Sequence, residues 1–312
     1  MELIFLQPIF KERIWGGNTL MTEFGYSIPS KHTGECWAIS AHKNGETIIK
    51  NGAYTGWALS KLWHEHAELF ANTELRQFPL LIKILDANSD LSVQVHPNDE
   101  YATVMENDLG KAECWYILAA KPDAKIVYGH TANTIEEFKQ LALTDKWSSL
   151  LNSEPVKAGD FFDLAPGTVH ALGGGILVFE VQQSSDSTYR LYDYNRRDDK
   201  GNLRELHLEK AFAVINIPHQ SKAVNLTIHK LSEAAVLTNL TSNKYFKVNK
   251  LDINGTFSYG MCDKYLLISV ISGEAVVNGY NVSKGDNFIV PNPVTKLDIT
   301  GTISLIITSE SD

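Results

Sequence analysis

Lys157-Ala-Gly-Asp-Phe-Phe-Asp-Leu-Ala-Pro166, with Gly167-Thr-Val-His170 directly behind it, is the stretch on which the reading of the fold turns. Gly159-Asp160 supplies a tight turn into a strand, apolar residues carry the strand on, and Pro166 closes it where no ladder hydrogen bond is needed. The same form returns at Ser283-Lys-Gly-Asp-Asn-Phe-Ile-Val-Pro291, so the two halves of the chain share a β-unit. The copies part after the proline. The first runs on to His170, whereas the second runs on to Asn292, Pro293, Val294 and Thr295 and offers no metal-binding side chain. The first unit is therefore expected to do the chemistry, with the second as its structural companion.

Outward from these copies, short β-type runs separated by Gly, Asn and Pro dominate the chain. Leu80 to Leu85, Leu91 to His96, Glu113 to Leu118, Lys125 to Tyr128, Phe161 to Leu164 and Ile176 to Val181 read as strands. After about His219 strands continue without helices, from Phe246 to Ile253 through to Ile303 to Thr308. Helical spacing appears over about Trp57 to Ala71, from a capping box at Thr134 and Glu137 on to Trp147, and over Glu205 to Asn216 before Pro218. These patterns predict a mainly β protein of two jelly-roll β units with an inserted helical segment. The first unit is placed at 1–220 and the second at 221–312, with the boundary near residues 219 to 232. The Gly-Asp to Pro pattern resembles the second motif of cupins, small β-barrels built as jelly rolls.

With 28 Lys+Arg against 37 Asp+Glu in 312 residues, a net charge of −9 disfavours nonspecific binding to nucleic acid. No apolar run approaches the roughly 20 residues that cross a bilayer, and the basic residues at the N-terminus follow its short apolar stretch. A cytoplasmic protein with no signal peptide and no membrane partner is expected. Cys36, Cys114 and Cys262 are too few and too scattered for a disulfide framework or a CxxC metal pair. Any metal must then be held mainly by His, Glu, Asp and Gln.

Those residue types gather in a few places. In Leu91-Ser-Val-Gln-Val-His-Pro97, strict alternation puts Ser92, Gln94 and His96 on one face of a strand and Leu91, Val93 and Val95 on the other. Glu113 opens an otherwise apolar strand and shares a face with Lys111 and Trp115. A jelly roll brings such strands together, so that Gln94, His96, Glu113 and His170 can converge. Two imidazoles, a carboxylate and an amide oxygen make a nitrogen-and-oxygen site that suits Zn²⁺ and also non-haem Fe²⁺.

The stretches QVHP at 94–97, KAECW at 111–115, PGTVHAL at 166–172 and Gln182-Gln-Ser-Ser-Asp-Ser-Thr-Tyr-Arg-Leu-Tyr-Asp-Tyr-Asn-Arg196 together resemble type I mannose-6-phosphate isomerases in their compact bacterial form. Trp15-Gly-Gly and Gly34-Glu-Cys-Trp-Ala-Ile-Ser40 extend the resemblance toward the N-terminus. It implies one Zn²⁺ per chain, a hexose 6-phosphate as small-molecule substrate, and interconversion of mannose 6-phosphate and fructose 6-phosphate by proton transfer between C1 and C2 through an enediol. On the matching positions, His96, Glu113 and His170 are metal ligands, Gln94 is a fourth, Arg190 is the active-site arginine and Lys111 a pocket residue.

The substrate phosphate is a dianion, so an acidic protein must place its cations locally. Arg190 and Lys111 are the best candidates, with Lys83 behind them and Ser92 as a possible donor. Arg190 shares a face with Thr188, Tyr192 and Tyr194; its competing reading is a strand residue paired with Asp193 or Asp186. Glu180, after an apolar run, is a candidate acid–base group or equally a structural partner of Arg190, and a metal-bound water or another histidine can also carry the proton. Trp15, Glu35 and Trp37 line or brace the pocket. Two rival functions use the same residues: an iron-dependent cupin oxygenase and a non-catalytic sugar-phosphate-binding cupin.

Overall fold

The computed structural model describes residues 2–198, 200–221, 225–261 and 264–311. Cys262 and residues 222–224 of the expected boundary lie outside the described residues. The fold is mainly β and cupin-like, as expected. Cys36 and Cys114 are free and buried, and among the described residues no helix is long and apolar enough to cross a membrane.

Two sheets form the first unit. One has six strands in the order Phe161–Leu164, Glu113–Ala120, Ile176–Gln183, Leu80–Ala87, Thr33–Ile39, Ile9–Gly17. The other has five, in the order Leu151–Pro155, Lys125–His130, His170–Leu172, Val93–Val95, Tyr189–Tyr192. Leu85, Trp115 and Val178 from the first sheet share an apolar cluster with Ile126 and Leu172 from the second and with Leu91 just before Val93–Val95. Leu85 and Leu91 of that cluster also border a polar cavity. Outside the five-stranded sheet, Val93, Val95 and Leu191 meet Phe138, Trp147 and Phe212 from the helical segments.

The helices follow the predicted spacing but are shorter. Thr134 caps the helix Ile135–Leu143 by accepting from Glu137 N at 3.1 Å, while Glu137 Oε2 accepts from Asn133 N at 2.8 Å. Removing this cap costs about 1 kcal/mol in comparable helices. Thr134→Ala is therefore expected to lower the unfolding free energy from urea titration by that amount while leaving turnover unchanged, a result read by paired denaturation and activity curves. The tract over 57–71 is an α-helix at Leu59–Glu65 and a 3-10 turn at Ala67–Phe70, broken where His66 leaves helical geometry. The third helix is Leu208–Val214. Residues 205–207 stay outside the helix, where His207 N donates to Arg190 O at 2.7 Å and His207 Nδ1 accepts from Arg190 N at 3.0 Å.

The second unit is a curled sheet of nine strands whose path begins with Thr227–Ser232 and Ala235–Ser242 and includes the long strands Phe246–Gly260, Leu266–Val277 and Lys296–Glu310. The chain's first strand, Ile4–Gln7, crosses into it: Ile4 pairs with Ile289 and Leu6 with Asn287, and Ile48–Ile49 follows beyond. Leu3 joins the core of that unit, while Ile4 and Leu6 join the cluster between the units. An apolar run with no alternation is what a strand covered on both faces requires, and this explains why Leu3 to Leu6 lacks the period-two signature.

Candidate active site

Strand register builds the site from both sheets. In the five-stranded sheet His170 lies opposite Gln94 and Gln94 opposite Arg190, so the three side chains form one row. In the six-stranded sheet Trp115 lies opposite Glu180, Glu180 opposite Lys83, and Lys83 opposite Trp37, which forms a second row. The rows border a cavity of about 330 Å³ that is lined mainly by polar and charged side chains.

At its inner end His96, Glu113 and His170 converge, their ligand atoms all within 4.8 Å of one another; among the described residues they are the one group of this kind. His170 Nε2 is 3.0 Å from Glu113 Oε1 and His96 Nε2 is 3.5 Å from Glu113 Oε2. All three side chains are buried. Each imidazole is held from behind: His96 Nδ1 is 2.9 Å from Ser187 O, and His170 Nδ1 is 2.9 Å from Thr168 O. A carbonyl can only accept, so both rings carry a proton on Nδ1 and turn Nε2 inward. Neither Glu113 oxygen has a hydrogen-bond donor in bonding geometry. Lone pairs crowded at these separations are unfavourable unless positive charge takes them up, and Lys111 Nζ at the rim supplies part of it.

Local charge agrees with that donor set. Burial raises the pKa of the Glu113 carboxyl, but Lys111, His96 and His170 outweigh it and hold the group well below the usual carboxylate range. Burial, reinforced by the Lys111 charge, pushes His96 well below the usual imidazole value, which keeps its ring neutral. Lys111 Nζ lies 3.0 Å from Glu113 Oε2 and 3.0 Å from His96 Nε2, at the rim of the ligand set. Gln94 places its amide 3.4 Å from His170 Nε2, within reach of the same centre. A carboxylate, two imidazoles and an adjacent amide fit a divalent metal of the zinc or iron type.

Farther out, Arg190 Nε donates to Ser92 Oγ at 3.2 Å and Arg190 Nη1 to Glu205 O at 2.7 Å. Asp193 is instead engaged by Arg196 and Arg204, so the paired-with-aspartate reading of Arg190 is not what the fold adopts. Glu180 likewise does not serve Arg190: Trp115 Nε1 donates to its Oε1 at 2.9 Å, and Lys83 Nζ faces its Oε2 at 3.4 Å. Burial would strip Lys83 of its charge, yet Glu180 and Glu35 overcome that and raise its pKa. Trp15 lines the cavity while its ring packs on the backbone of Gly34, where a Cβ would sit 2.6 Å from the indole. The glycine of Gly34-Glu-Cys-Trp is thus required by this close approach.

Six cavity residues escaped the sequence reading as lining groups: the polar Arg13, Asp186, Thr188 and Arg204, and the apolar Leu85 and Leu91, the latter read onto the opposite face from Gln94. Arg13 Nε donates to Glu35 Oε1 at 2.6 Å, and Trp37 Nε1 donates to Glu35 Oε2 at 2.6 Å, so Glu35 is a brace. Asp186 and Thr188 were legible, since counting back by twos from Arg190 reaches both. Arg204 was not, because a non-regular loop brings it in.

Comparison with known proteins agrees with this arrangement. The family description "Phosphomannose isomerase type I, catalytic domain" matches residues 3–116, and "Mannose-6-phosphate isomerase, cupin domain" matches residues 236–310. The chain is 49% identical over 311 residues to mannose-6-phosphate isomerase ManA of Bacillus subtilis, covering 98% of both. It is 47% identical over 310 residues to mannose-6-phosphate isomerase of Streptococcus mutans, covering 98% of this chain and 97% of that one. A crystal structure of mannose 6-phosphate isomerase from Bacillus subtilis superposes with a TM-score of 0.97 at 43% identity, covering 99% of this chain and 100% of that one. With likeness of this order over nearly its whole length, and with the His-Glu-His centre in place, the chain belongs to the type I phosphomannose isomerase family and is a mannose-6-phosphate isomerase.

Proposed function

We propose that this isomerase holds one Zn²⁺ per chain through His96, Glu113 and His170, with Gln94 at the fourth position, and that it moves a proton between C1 and C2 of the hexose 6-phosphate through an enediol. The single observation that carries this is the convergence of two imidazole Nε2 atoms and an ionised carboxylate at one end of a polar cavity. When bound there, the metal supplies a Lewis acid for the substrate oxygen on which negative charge develops.

The chain's own residues do the rest. Lys111, buried at the rim of the ligand set, adds positive charge where that oxygen lies. Arg190 receives the sugar phosphate with a guanidinium pre-oriented by Ser92 Oγ and Glu205 O. Lys83 extends the positive wall, and Trp15 gives the sugar ring a flat apolar side. For proton transfer, Glu180 is bound down by Trp115 and Lys83, and Glu35 by Arg13 and Trp37. Asp186 is exposed to the cavity, with Asn44 Nδ2 donating to its Oδ2 at 2.9 Å. These contacts favour Asp186 as the proton carrier and Glu180 as the group that keeps Lys83 charged.

A coupled assay with mannose 6-phosphate tests the metal directly. Exhaustive chelation is expected to reduce turnover to background, and one equivalent of Zn²⁺ is expected to restore it without oxygen being consumed. Full activity in chelated protein shown to be free of metal would sink the zinc reading. Oxygen uptake coupled to turnover would instead favour the iron-dependent oxygenase, and tight binding of the sugar phosphate without turnover would favour the non-catalytic cupin.

A further inference from the structure

The two metal-facing imidazoles are oriented in different ways. His170 uses Thr168 O, two residues back in its own turn. His96 uses Ser187 O, which is 91 residues away and belongs to a segment, 184–188, that lies in neither strand nor helix. A carbonyl in such a segment can set a ring's tautomer only if something fixes the segment. Asp108 does this from the loop that also carries Lys111 and Glu113: its Oδ2 accepts from Ser185 Oγ at 3.0 Å and from Ser187 Oγ at 3.3 Å. Its other oxygen accepts from Leu109 N at 2.8 Å, which anchors the carboxylate to its own loop. Ser185 is fully buried, so its hydroxyl has no solvent substitute for that acceptor. The Ser185 hydroxyl in turn accepts from Ser187 N at 3.3 Å, which makes the turn a closed unit.

We propose that Asp108 is a positioning residue for the metal centre: by bridging the Ser185 and Ser187 hydroxyls it locks the Ser187 carbonyl against His96 Nδ1 and thereby aims His96 Nε2 at the metal. Without the bridge the carbonyl can turn away, and the ring is free to carry its proton on Nε2, the form that cannot ligate. The same bridge joins the loop bearing Lys111 and Glu113 to the segment bearing Asp186 and Thr188, so one carboxylate sets the spacing of both sides of the cavity. The inference rests on the zinc reading above.

The test uses the full chain and zinc alone. Zinc dissociation constants are measured by competition with a chromophoric chelator, alongside the ring ¹⁵N signals of His96 and the thermal midpoint of the metal-free protein. Asp108→Ala is expected to weaken zinc binding by about 10- to 100-fold, the usual effect of losing an outer partner of a ligand, and to populate the Nε2–H tautomer of His96. Asp108→Asn, which keeps an acceptor oxygen, is expected to recover most of the affinity. A purely structural role would lower the metal-free midpoint and leave the zinc affinity alone. Should Asp108→Ala not fold, the Ser185→Ala/Ser187→Ala double variant, which removes both donors, is expected to weaken zinc binding in the same way. Zinc affinity within about twofold of wild type in whichever of these variants folds overturns the inference alone, whereas wild-type protein that fails to bind zinc overturns the zinc reading and the inference with it.

Discussion

His170→Ala is expected to yield a folded protein with no stoichiometric zinc and turnover reduced by at least about 10³-fold, since a Lewis acid contributes several kcal/mol to such a barrier and each 1.36 kcal/mol is tenfold in rate. The fold is expected to survive because His170–Leu172 is held in its sheet by backbone pairing with Lys125–His130 and Val93–Val95, which the side chain does not enter. The ligand set is not expected to survive. The imidazole faces Glu113 Oε1 at 3.0 Å and Gln94 at 3.4 Å, so its removal takes a strong donor from the centre and the contact that places the amide. Elemental analysis, circular dichroism and the coupled assay read the three quantities. Retained zinc with retained turnover in this variant would refute the assignment of the site.

Arg190→Ala is expected to do the opposite in one respect: zinc content stays at wild-type level while kcat/KM falls by roughly 10²- to 10³-fold, the range seen when a pre-aimed donor to developing charge is lost. Arg190 meets the structure through Ser92 Oγ, Glu205 O and its own backbone contacts with His207, none of which touches the metal-binding side chains. Arg190→Lys is expected to recover little, because an ammonium cannot reproduce two fixed contacts and still present a planar fork to a phosphate. Substrate truncation separates the roles within the loss. If Arg190 acts on the phosphate, the variant and wild type converge on mannose, which lacks it. Full activity of Arg190→Ala on the phosphate ester would remove this residue from the mechanism.

Much of this was open to reading because strands report their own faces. Alternation in Leu91 to His96 put Ser92, Gln94 and His96 on one side, and all three border the cavity or its metal end. Counting back by twos from Arg190 also reaches Thr188 and Asp186, which line the cavity although 184–188 is not a strand. Thr134 caps its helix as the spacing predicts, since a cap involves residues within one turn, while Glu137 reaches Asn133 N instead of Thr134 N. The first strand was harder. Its run is apolar on both faces, so periodicity offers nothing, and its partner at Asn287–Val290 lies at the far end of the chain.

Pairings between distant charged groups lay beyond the sequence for a related reason. Whether Arg190 meets Asp193, Asp186, Glu180 or Ser92 depends on which strands are neighbours and on where irregular loops return, and no local spacing encodes either. Arg204 reaches the cavity, and Glu205 O reaches Arg190, where 205–207 lies beside Arg190 instead of joining the helix that its apolar spacing suggests. The Asp108 bridge to Ser185 and Ser187 likewise joins two loops whose approach has no signature in either.

Residue order alone therefore determined which side chains could act as ligands, cations and caps, because those properties follow from chemistry and from the two-residue repeat of a strand. Only the tertiary structure decided which of them meet, which are spent on one another and which remain turned toward substrate, because distances across two facing sheets depend on register and loop path, not on position along the chain.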